Sequence, residues 1–416
     1  MKATPRPIET RRAEAWAQAA GVRECLQWFT REKQWINERH IQLCRIPAPT
    51  FLEQARAEWM ASELRSLGWK AEIDRAGNVV ATLPEAVENP AAALTAHLDT
   101  VLAPRQPQQI QVCGDGRLLG PGVADNGAGL AALLAMAAAI HGAPAGNWSR
   151  RIALVANVGE EGEGNLSGMR YLCRQSRFGA SLKSFLVLDG PGTDSITVHA
   201  LGSRRFEVVY TGAGGHSWSD YGAANPVHAL SRAIVLFNDS PADNPPAGPR
   251  YSYNFGIIEG GVSVNSIPAE ARAKVDLRAE TQVTMDQLAA WLNECVERAL
   301  EIENQRASGP KLGVRIREIG SRPCGRLRPD AGILEILRAV DCHLGIRAQL
   351  DCSSTDANIP ISLGLEALSI GAGGQGGGAH TTAEWYNPEG RDLGLKRILL
   401  AMCLLANREH DPAGLS

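Results

Sequence analysis

The sequence lacks paired cysteines and long apolar runs. Its nine cysteines are scattered over 416 residues without a Cys-x-x-Cys pair. Scattered cysteines in an odd number indicate reduced thiols rather than a disulfide framework. The N-terminal residues carry charges throughout and contain no apolar segment of a secretory signal. No stretch approaches the roughly 18 uninterrupted apolar residues that can cross a membrane. We therefore expect a cytoplasmic protein with no membrane partner.

A strong charge of one sign is also absent. The chain has 42 Lys and Arg residues against 45 Asp and Glu residues, without a long basic run. Proteins that bind nucleic acid or anionic membranes through their charge carry a basic patch or stripe. The balanced composition therefore makes nucleic acid an unexpected partner.

The length and the order of the apolar patterns predict two domains, because 416 residues exceed the usual size of one hydrophobic core. Residues 10–70 predict two or three helices, with one continuous helix over 11–29. Residues 69–84 then predict a hairpin, and alternating strands and helices follow to Asp189. This alternation is typical of an α/β sheet with helices on both faces.

The pattern changes between residues 203 and 320, where strands and helices follow in the order β-α-β-β-α-β. That order predicts a compact ferredoxin-like α+β domain, and an α/β pattern resumes after it. We expect an α/β domain with a mixed central sheet, formed by residues 1–202 and 321–416, that is interrupted by this insert. The proline-rich residues 240–250 predict a loop.

Histidine and acidic residues stand where predicted strands end. His97 and Asp99 follow the apolar residues 91–96, and their spacing places both side chains on one face of the chain. A metal-bound imidazole needs its second nitrogen held by a carboxylate or a carbonyl, which Asp99 can supply. A solvated strand end explains this pair alone equally well.

A second candidate ligand, Asp125, lies among glycines at 120, 122, 127 and 129, just before an alanine- and leucine-rich helix. Asp125 could be the N-cap of that helix. An N-cap does not require four glycines, however. They indicate a backbone that packs closely against another group.

Two consecutive carboxylates, Glu160 and Glu161, follow a strand predicted over residues 152–158. Neighbouring side chains at a strand end point in different directions, so one can bind a metal ion while the other acts as a general base. A solvated acidic turn is the alternative for this motif taken alone.

Asp189 ends a further apolar strand, and His380 lies in a glycine-rich loop that continues to Thr381, Thr382 and Glu384. No Lys accompanies this loop, which disfavours phosphate binding. Ligands of open α/β sheets gather at the carboxyl ends of strands, so these side chains are expected to meet. Histidines and carboxylates without Cys suit zinc, cobalt or manganese in an open catalytic site. The sequence therefore predicts a two-metal hydrolase.

From about residue 35 onward, the motifs HLD, GVADNGAG, VGEEGEG, GGHSW and GGGAH resemble, in this order, those of the M20 family of co-catalytic zinc metallopeptidases. The family includes aminopeptidases such as peptidase T, dipeptidases, carboxypeptidases and N-acyl amino acid deacylases. The resemblance implies two divalent metal ions, with zinc expected and cobalt or manganese as alternatives. It also implies a general base, Glu160, and an Asp99 that orients His97. The implied metal ligands, with Asp125 as the bridge, are His97, Asp125, Glu161, Asp189 and His380.

The resemblance gives the insert the role of a lid and dimerisation domain. His216 of GGHSW would then reach the active site, often that of the partner subunit in a homodimer, and stabilise the oxyanion. Asn265, Arg278 and Asn358 match positions that contact substrate in relatives. A salt-bridged strand residue remains the alternative for Arg278.

For the activity, the resemblance implies amide hydrolysis. The motifs look most similar to the peptidase T-like branch, although Gly127 stands where many relatives have Lys or another polar residue. We expect an aminopeptidase or tripeptidase acting on short peptides. An N-acyl amino acid deacylase or a carboxypeptidase is the alternative. An inactive peptide-binding or scaffold homologue is less favoured, because every metal ligand and Glu160 are present.

Overall fold

The computed structural model describes residues 7–87, 90–143, 147–239 and 249–408. Of the proline-rich loop predicted at 240–250, residues 240–248 therefore lie outside the described part. The chain divides into two compact units, one made of Met1–Ala200 and Arg326–Ser416 and the other of Leu201–Gly325. The second unit corresponds to the predicted insert. It extends beyond residue 320 because its last long strand ends at Arg322.

The helices were named in chain order. They are α1 (Pro7–Gln18), α2 (Ala20–Arg31), α3 (Lys33–Cys44), α4 (Gln54–Ser66), α5 (Gly127–His141), α6 (Ser167–Arg174), α7 (Pro226–Asn238), α8 (Gln282–Arg306), α9 (Gly332–Leu344), α10 (Asn358–Ser362) and α11 (Arg391–Ala406). Short 3-10 helices lie at Pro107–Gln109, Asn147–Arg151 and Gly162–Gly164.

The strands follow the same convention. They are β1 (Lys70–Ile73), β2 (Val79–Thr82), β3 (Ala92–His97), β4 (Gln111–Val112), β5 (Leu118–Leu119), β6 (Ile152–Asn157), β7 (Ser184–Leu188), β8 (Ser195–Ala200), β9 (Gly202–Thr211), β10 (Gly215–His216), β11 (Tyr251–Gly260), β12 (Ser266–Ile267), β13 (Glu270–Ala279), β14 (Gly313–Arg322), β15 (Gly325–Arg326), β16 (Gln349–Ser353), β17 (Glu366–Ile370), β18 (Gln375–Gly377) and β19 (Trp385–Asn387).

The helix predicted over residues 11–29 is wrong as a single element. The chain leaves the helical conformation at Ala19, whose φ of −60° and ψ of 133° are extended. The break lets α1 and α2 each bury an apolar face, with Trp16 on α1 and Phe29 on α2 in the core. Residues 7–66 therefore contain four helices instead of two or three.

The first unit is built on a nine-stranded mixed sheet of order β1-β2-β6-β3-β7-β17-β8-β15, with β16 paired to β8. Its central strands β6, β3, β7 and β17 are parallel neighbours. β6, β3 and β7 are buried along their whole length, as expected for parallel strands covered on both faces. Their carboxyl ends meet at one edge of the sheet, where the predicted site residues follow.

Helix α5 covers this sheet and is buried on every side from Gly127 to Ile140. Such a helix belongs to the interior of a large core, which explains the alanine- and leucine-rich run. Among the described residues, no helix has both the length and the apolar character needed to span a membrane. The nine cysteines are all free thiols, and the cytoplasmic location stays a prediction.

The second unit has the predicted ferredoxin-like architecture. Its long strands form an antiparallel sheet of order β11-β13-β9-β14. Alternate residues of β13, such as Ala273, Val275 and Leu277, are buried and pack in one core with helices α7 and α8. The alternation of buried and exposed residues is the pattern of a sheet covered on one face. The mixed α/β fold with an inserted domain is thus confirmed.

Candidate metal centre

Three predicted ligands converge on Asp125. His97 Nε2 lies 3.1 Å from Asp125 Oδ1, and His380 Nε2 lies 3.1 Å from Asp125 Oδ2. His380 Nε2 also lies 3.0 Å from Glu161 Oε1. One ligand atom each from His97, Asp125 and Glu161 lies within 4.8 Å of the others. The carboxylate of Asp125 therefore stands between two imidazoles and presents one oxygen to each.

The closeness of these side chains shifts their pKa values. Burial would lower the pKa of His97, but the hydrogen bond to Asp125 and the nearby carboxylates of Asp99 and Glu160 outweigh burial and raise this pKa well above its usual value. The hydrogen bond to Asp125 raises the pKa of His380 to about 9. Burial, with the adjacent Glu160 charge, raises the pKa of Glu161 to about 7. Buried carboxylates beside imidazoles thus share protons, and a divalent cation can take the place of these protons.

The donor set fits a divalent transition metal. Two imidazole nitrogens and the carboxylates of Asp125 and Glu161 lie together without a cysteine sulfur. Zinc, cobalt and manganese accept such mixed nitrogen and oxygen donors. These four residues can therefore hold metal ions.

Asp189 follows β7, and its backbone amide donates to Ile370 O of the neighbouring strand at 3.0 Å. Burial raises the pKa of its carboxyl well above the usual value, and the charge of Asp125 adds to the rise. Asn126, which follows Asp125, connects the Asp125 turn to β7, because its Nδ2 donates to Leu188 O at 2.8 Å. Asp189 thus belongs to the same cluster of charges, and its role as a ligand stays a prediction.

Asp99 contacts His97 through its backbone carbonyl, one of the two groups that were expected to hold the imidazole. His97 Nδ1 lies 2.9 Å from the backbone carbonyl of Asp99 and 3.6 Å from its carboxylate. The carbonyl is therefore the group that orients the imidazole. The carboxylate instead accepts the backbone amides of Glu160 at 3.0 Å and Glu161 at 2.8 Å, and the hydroxyl of Thr50 at 3.0 Å. Asp99 thereby positions the two consecutive glutamates.

The turn before α5 shows why its glycines are needed. Asn126, not Asp125, is the N-cap of α5, because its Oδ1 accepts the backbone amide of Gly129 at 3.1 Å. A Cβ on Gly127 would lie 2.6 Å from Gly122 O and 2.8 Å from His40 Nε2. No larger residue fits at position 127 without movement of these groups. The Asp125–Asn126 peptide bond is cis.

A buried pair beside the centre was not predicted. Asn157 Nδ2 donates to Asp356 Oδ2 at 2.6 Å, and both side chains are inaccessible to solvent. Burial, together with the charge of Glu160, raises the pKa of Asp356 to about 7. Asn157 is the partner of His97 in the β3–β6 register. The sequence carried two signals for these residues: Asn157 is a polar residue at the end of an otherwise apolar strand, and Asp356 lies in SSTDAN, which resembles a substrate-side motif of the family.

The second unit brings two predicted residues together. His216 pairs with Ser266 in the β10–β12 ladder, and the backbone amide of Ser217 donates to Asn265 O at 3.0 Å. The exposed ring of His216 accepts the backbone amides of Trp218 and Ser219 at Nδ1, at 3.2 and 3.3 Å. An imidazole that accepts at Nδ1 carries its proton on Nε2. His216 therefore presents a hydrogen-bond donor at Nε2.

The other predicted substrate contacts have local partners. Arg278 Nε donates to Asp276 Oδ2 at 2.8 Å, as the salt-bridged alternative expected. Asn358 is fully buried, and its Oδ1 accepts the backbone amide of Thr355 at 3.0 Å. This burial argues against direct contact between Asn358 and a substrate. The substrate roles of Arg278, Asn265 and Asn358 stay predictions.

Comparison with known proteins agrees with this arrangement. A family model described as "Peptidase dimerisation domain" matches residues 198–304, and one described as "Peptidase family M28" matches residues 78–223. The first covers most of the insert. The second covers the segment from β2 through Asp189 and ends before His380 is reached.

A succinyl-diaminopimelate desuccinylase from Bradyrhizobium diazoefficiens is 31% identical over 213 residues, which cover 49% of this chain and 53% of that protein. The chain spans about half the length of the curated relatives it matches. A tripeptidase structure from Staphylococcus aureus has a TM-score of 0.72 at 19% identity and covers 90% of this chain and 98% of its own. Aminopeptidase PepT from Bacillus cereus has a TM-score of 0.69 at 19% identity and covers 90% of this chain and 99% of its own. At such identities the two structures show a shared fold.

The inserted dimerisation domain, the fold and the curated relatives agree with one another. Together they support the assignment of this chain to the M20 family of metallopeptidases, whose members generally use divalent metal ions. The resemblance of its motifs to this family is thereby confirmed.

Proposed function

We propose that this protein is a two-metal amide hydrolase that removes residues from the amino end of short peptides, as an aminopeptidase or tripeptidase. The observation that carries the proposal is the Asp125 carboxylate between the imidazoles of His97 and His380. A carboxylate shared between two imidazole ligands suits a pair of metal ions better than a single one.

His97, Asp125 and Asp189 would hold one ion, and Asp125, Glu161 and His380 the other. The donor set favours zinc, with cobalt or manganese as alternatives. When bound, such ions supply Lewis acidity, which lowers the pKa of a water molecule and polarises the carbonyl group of the substrate. The Asp99 carboxylate holds the backbone of Glu160 and Glu161, so the ligand and the neighbouring base keep a fixed separation.

Glu160 is the general base in this proposal. Its side chain is buried and neighbours the ligand Glu161 in sequence. The carboxylate would take a proton from water and pass it to the nitrogen of the leaving amine. Amide hydrolysis requires this second transfer, because an unprotonated amine is a poor leaving group.

His216 would stabilise the oxyanion. Its backbone-anchored Nδ1 leaves the Nε2 proton for donation, which is the tautomer that this role requires. The side chains of Trp218 and Tyr221, 86% and 87% exposed, follow it in the same loop. Large exposed aromatic side chains are typical of surfaces covered by a partner or ligand. We propose a homodimer through the insert, in which His216 serves the partner's site.

The desuccinylase relatives favour a second candidate, the hydrolysis of an N-acyl amino acid. The two reactions break the same kind of bond and use the same centre. They differ in the acyl group of the scissile amide. In a peptide this group carries a free α-amine, whereas in an N-acyl amino acid it is a simple acyl chain. Substrate specificity therefore separates them.

The test is hydrolysis of a substrate panel by zinc- or cobalt-loaded protein, followed by mass spectrometry. The panel contains dipeptides, tripeptides, N-blocked peptides, N-acetyl and N-succinyl amino acids. Cleavage that requires a free amino end supports the proposal, whereas cleavage of only N-blocked or N-acyl substrates supports a deacylase or carboxypeptidase.

The matched control is Glu160→Gln, which keeps the size of the side chain but removes its basicity. We expect metal content to stay near wild type and turnover to fall about 100- to 10,000-fold. Cleavage that persists in this variant would refute the assignment of the base. Wild-type protein that binds metal but cleaves no amide would refute the enzyme and favour a binding or scaffold role.

A further inference from the structure

Glu384 makes contacts that no motif assigned to it. It lies four residues after His380 and is 2% exposed. Its Oε2 accepts the backbone amide of Gly122 at 2.7 Å, and its Oε1 accepts those of Ala124 at 2.7 Å and Asp125 at 2.8 Å. One carboxylate thus binds three amides of the turn that presents Asp125.

The backbone around Glu384 joins the same two segments. Gly120 N donates to Glu384 O at 2.9 Å, and the next residue, Trp385, pairs with Leu119 in the β19–β5 ladder. The segment of His380 and the turn of Asp125 lie 255 residues apart in the chain, and these contacts help to bring them together. The Glu384 side chain and this short ladder therefore set how the two ligands meet.

The three contacts of Glu384 require a negatively charged carboxylate. A buried carboxylate is costly unless hydrogen-bond donors surround it, and three backbone amides meet that requirement. An amide side chain of the same size could accept with one oxygen only, and its nitrogen would face a backbone N–H. Replacement by Gln should therefore loosen the turn without creating a cavity.

We propose that Glu384 is a positioning residue that fixes Asp125 relative to His380, and so determines how tightly the metal position shared by these two residues binds its ion. The inference rests on the proposed function. It concerns the metal site that contains His380 rather than the chemistry of Glu160.

The experiment compares Glu384→Gln with wild type in zinc titrations of chelator-treated full-length protein, with competition by a chromogenic chelator. Loss of a group that orients metal ligands typically lowers metal affinity about 10- to 100-fold. We expect the larger loss for the ion held by His380 and a smaller loss for the other ion, because Asp125 contributes a carboxylate oxygen to both positions. Equal affinities for both ions in the variant and the wild type would overturn the inference.

The matched control is Glu366→Gln. Glu366 also binds two backbone amides, those of Gly332 at 3.1 Å and Ile333 at 3.2 Å, but it opens β17 at the opposite end of the strand from the centre. Thermal unfolding of both variants in the metal-free state, followed by circular dichroism, compares their stability. A fall in zinc affinity in Glu366→Gln of the same size would mean that general loosening, and not positioning, explains the effect.

A double-mutant cycle with His380→Ala tests whether Glu384 acts through the pairing of the two ligands. We expect Glu384→Gln to cause a smaller loss of zinc affinity in the His380→Ala background than in the wild-type background, because coupled positions are not additive. An equal loss in the two backgrounds would overturn the inference. If Glu384→Gln does not fold, Glu384→Asp, whose carboxylate is one methylene shorter, takes its place with the same criteria.

The two hypotheses fail in different ways. Wild-type protein that binds fewer than two ions, or that hydrolyses no amide, refutes the proposed function. Wild-type protein that binds two ions and hydrolyses substrate, with Glu384→Gln unchanged in zinc affinity, refutes only the role of Glu384.

Discussion

His380 and Asp125 are separated by 255 residues in the chain, yet His380 Nε2 lies 3.1 Å from Asp125 Oδ2. The other carboxylate oxygen of Asp125 lies at the same distance from His97 Nε2. Both carboxylate oxygens of Asp125 thus face imidazoles, and the side chain of Asn126 caps the helix that follows.

Asp125→Asn should weaken both metal positions. The substitution keeps the volume of the side chain but removes the negative charge and one acceptor. Neither imidazole then faces an anionic group at position 125. His380→Ala should weaken only one position. Metal content after dialysis, measured by inductively coupled plasma mass spectrometry, distinguishes the two variants. Loss of a single ion from Asp125→Asn would contradict the bridging role.

Metal affinity should increase with pH. In the metal-free protein the pKa of Glu161 is raised to about 7 and that of His380 to about 9, so both groups hold protons at neutral pH. Ligands must lose these protons on binding, and each proton released makes the apparent affinity rise about tenfold per pH unit. We expect a rise between pH 7 and 9 and a steeper rise below pH 7. Calorimetric titration in two buffers of different ionisation heat counts the protons. Binding without proton release would contradict the prediction.

His216→Ala should lower turnover without loss of metal, by about 100- to 1000-fold for one oxyanion donor. Mixing this variant with Glu160→Gln protein should restore activity if His216 acts across the dimer. Randomly mixed dimers would recover about one quarter of wild-type activity, because half are mixed and each of these holds one complete site. No recovery, with exchange of subunits verified by native mass spectrometry, would place His216 in its own subunit's site or outside catalysis.

Asp341→Ala should destabilise the first unit. Arg397 Nε donates to Asp341 Oδ1 at 2.6 Å and Nη2 donates to Oδ2 at 2.7 Å between α11 and α9, and the Arg397 side chain is fully buried. Removing Asp341 leaves a buried charge without its partner, which costs about 3–5 kcal/mol of unfolding free energy.

Urea unfolding of the metal-free protein measures this cost. The control is Glu72→Ala, which breaks the exposed ion pair with Arg177 and should cost at most about 1 kcal/mol. Equal effects of the two substitutions would show that the Asp341 pair is not as isolated from solvent as its burial indicates.

The sequence predicted the elements of the site better than their contacts. Apolar runs that end in His97, Glu160 and Asp189 were visible because a buried parallel strand has a local pattern of composition. That these strands are neighbours follows from the sheet order β6-β3-β7-β17, which no run of residues encodes by itself.

Contacts between distant segments account for what the sequence analysis missed or misassigned. The break at Ala19 follows from packing of two helices on one core, and no glycine or proline stands at that position. The carboxylate of Asp99 binds the amides of Glu160 and Glu161, a contact that its spacing from His97 does not reveal. Spacing shows which side chains share a face, but hydrogen-bond partners depend on distances of a few tenths of an ångström.

The sequence by itself determined the α/β class, the ferredoxin-like insert, the residue types of a metal centre and the resemblance to the M20 family. Each depends on periodicity, composition or short motifs, which are local properties of the chain. Only the tertiary structure decided that Asp125 lies between His97 and His380 and that Glu384 holds the Asp125 turn. These contacts join segments far apart in the chain, and the energy that forms them comes from burial of the whole sheet and its helices rather than from any single motif.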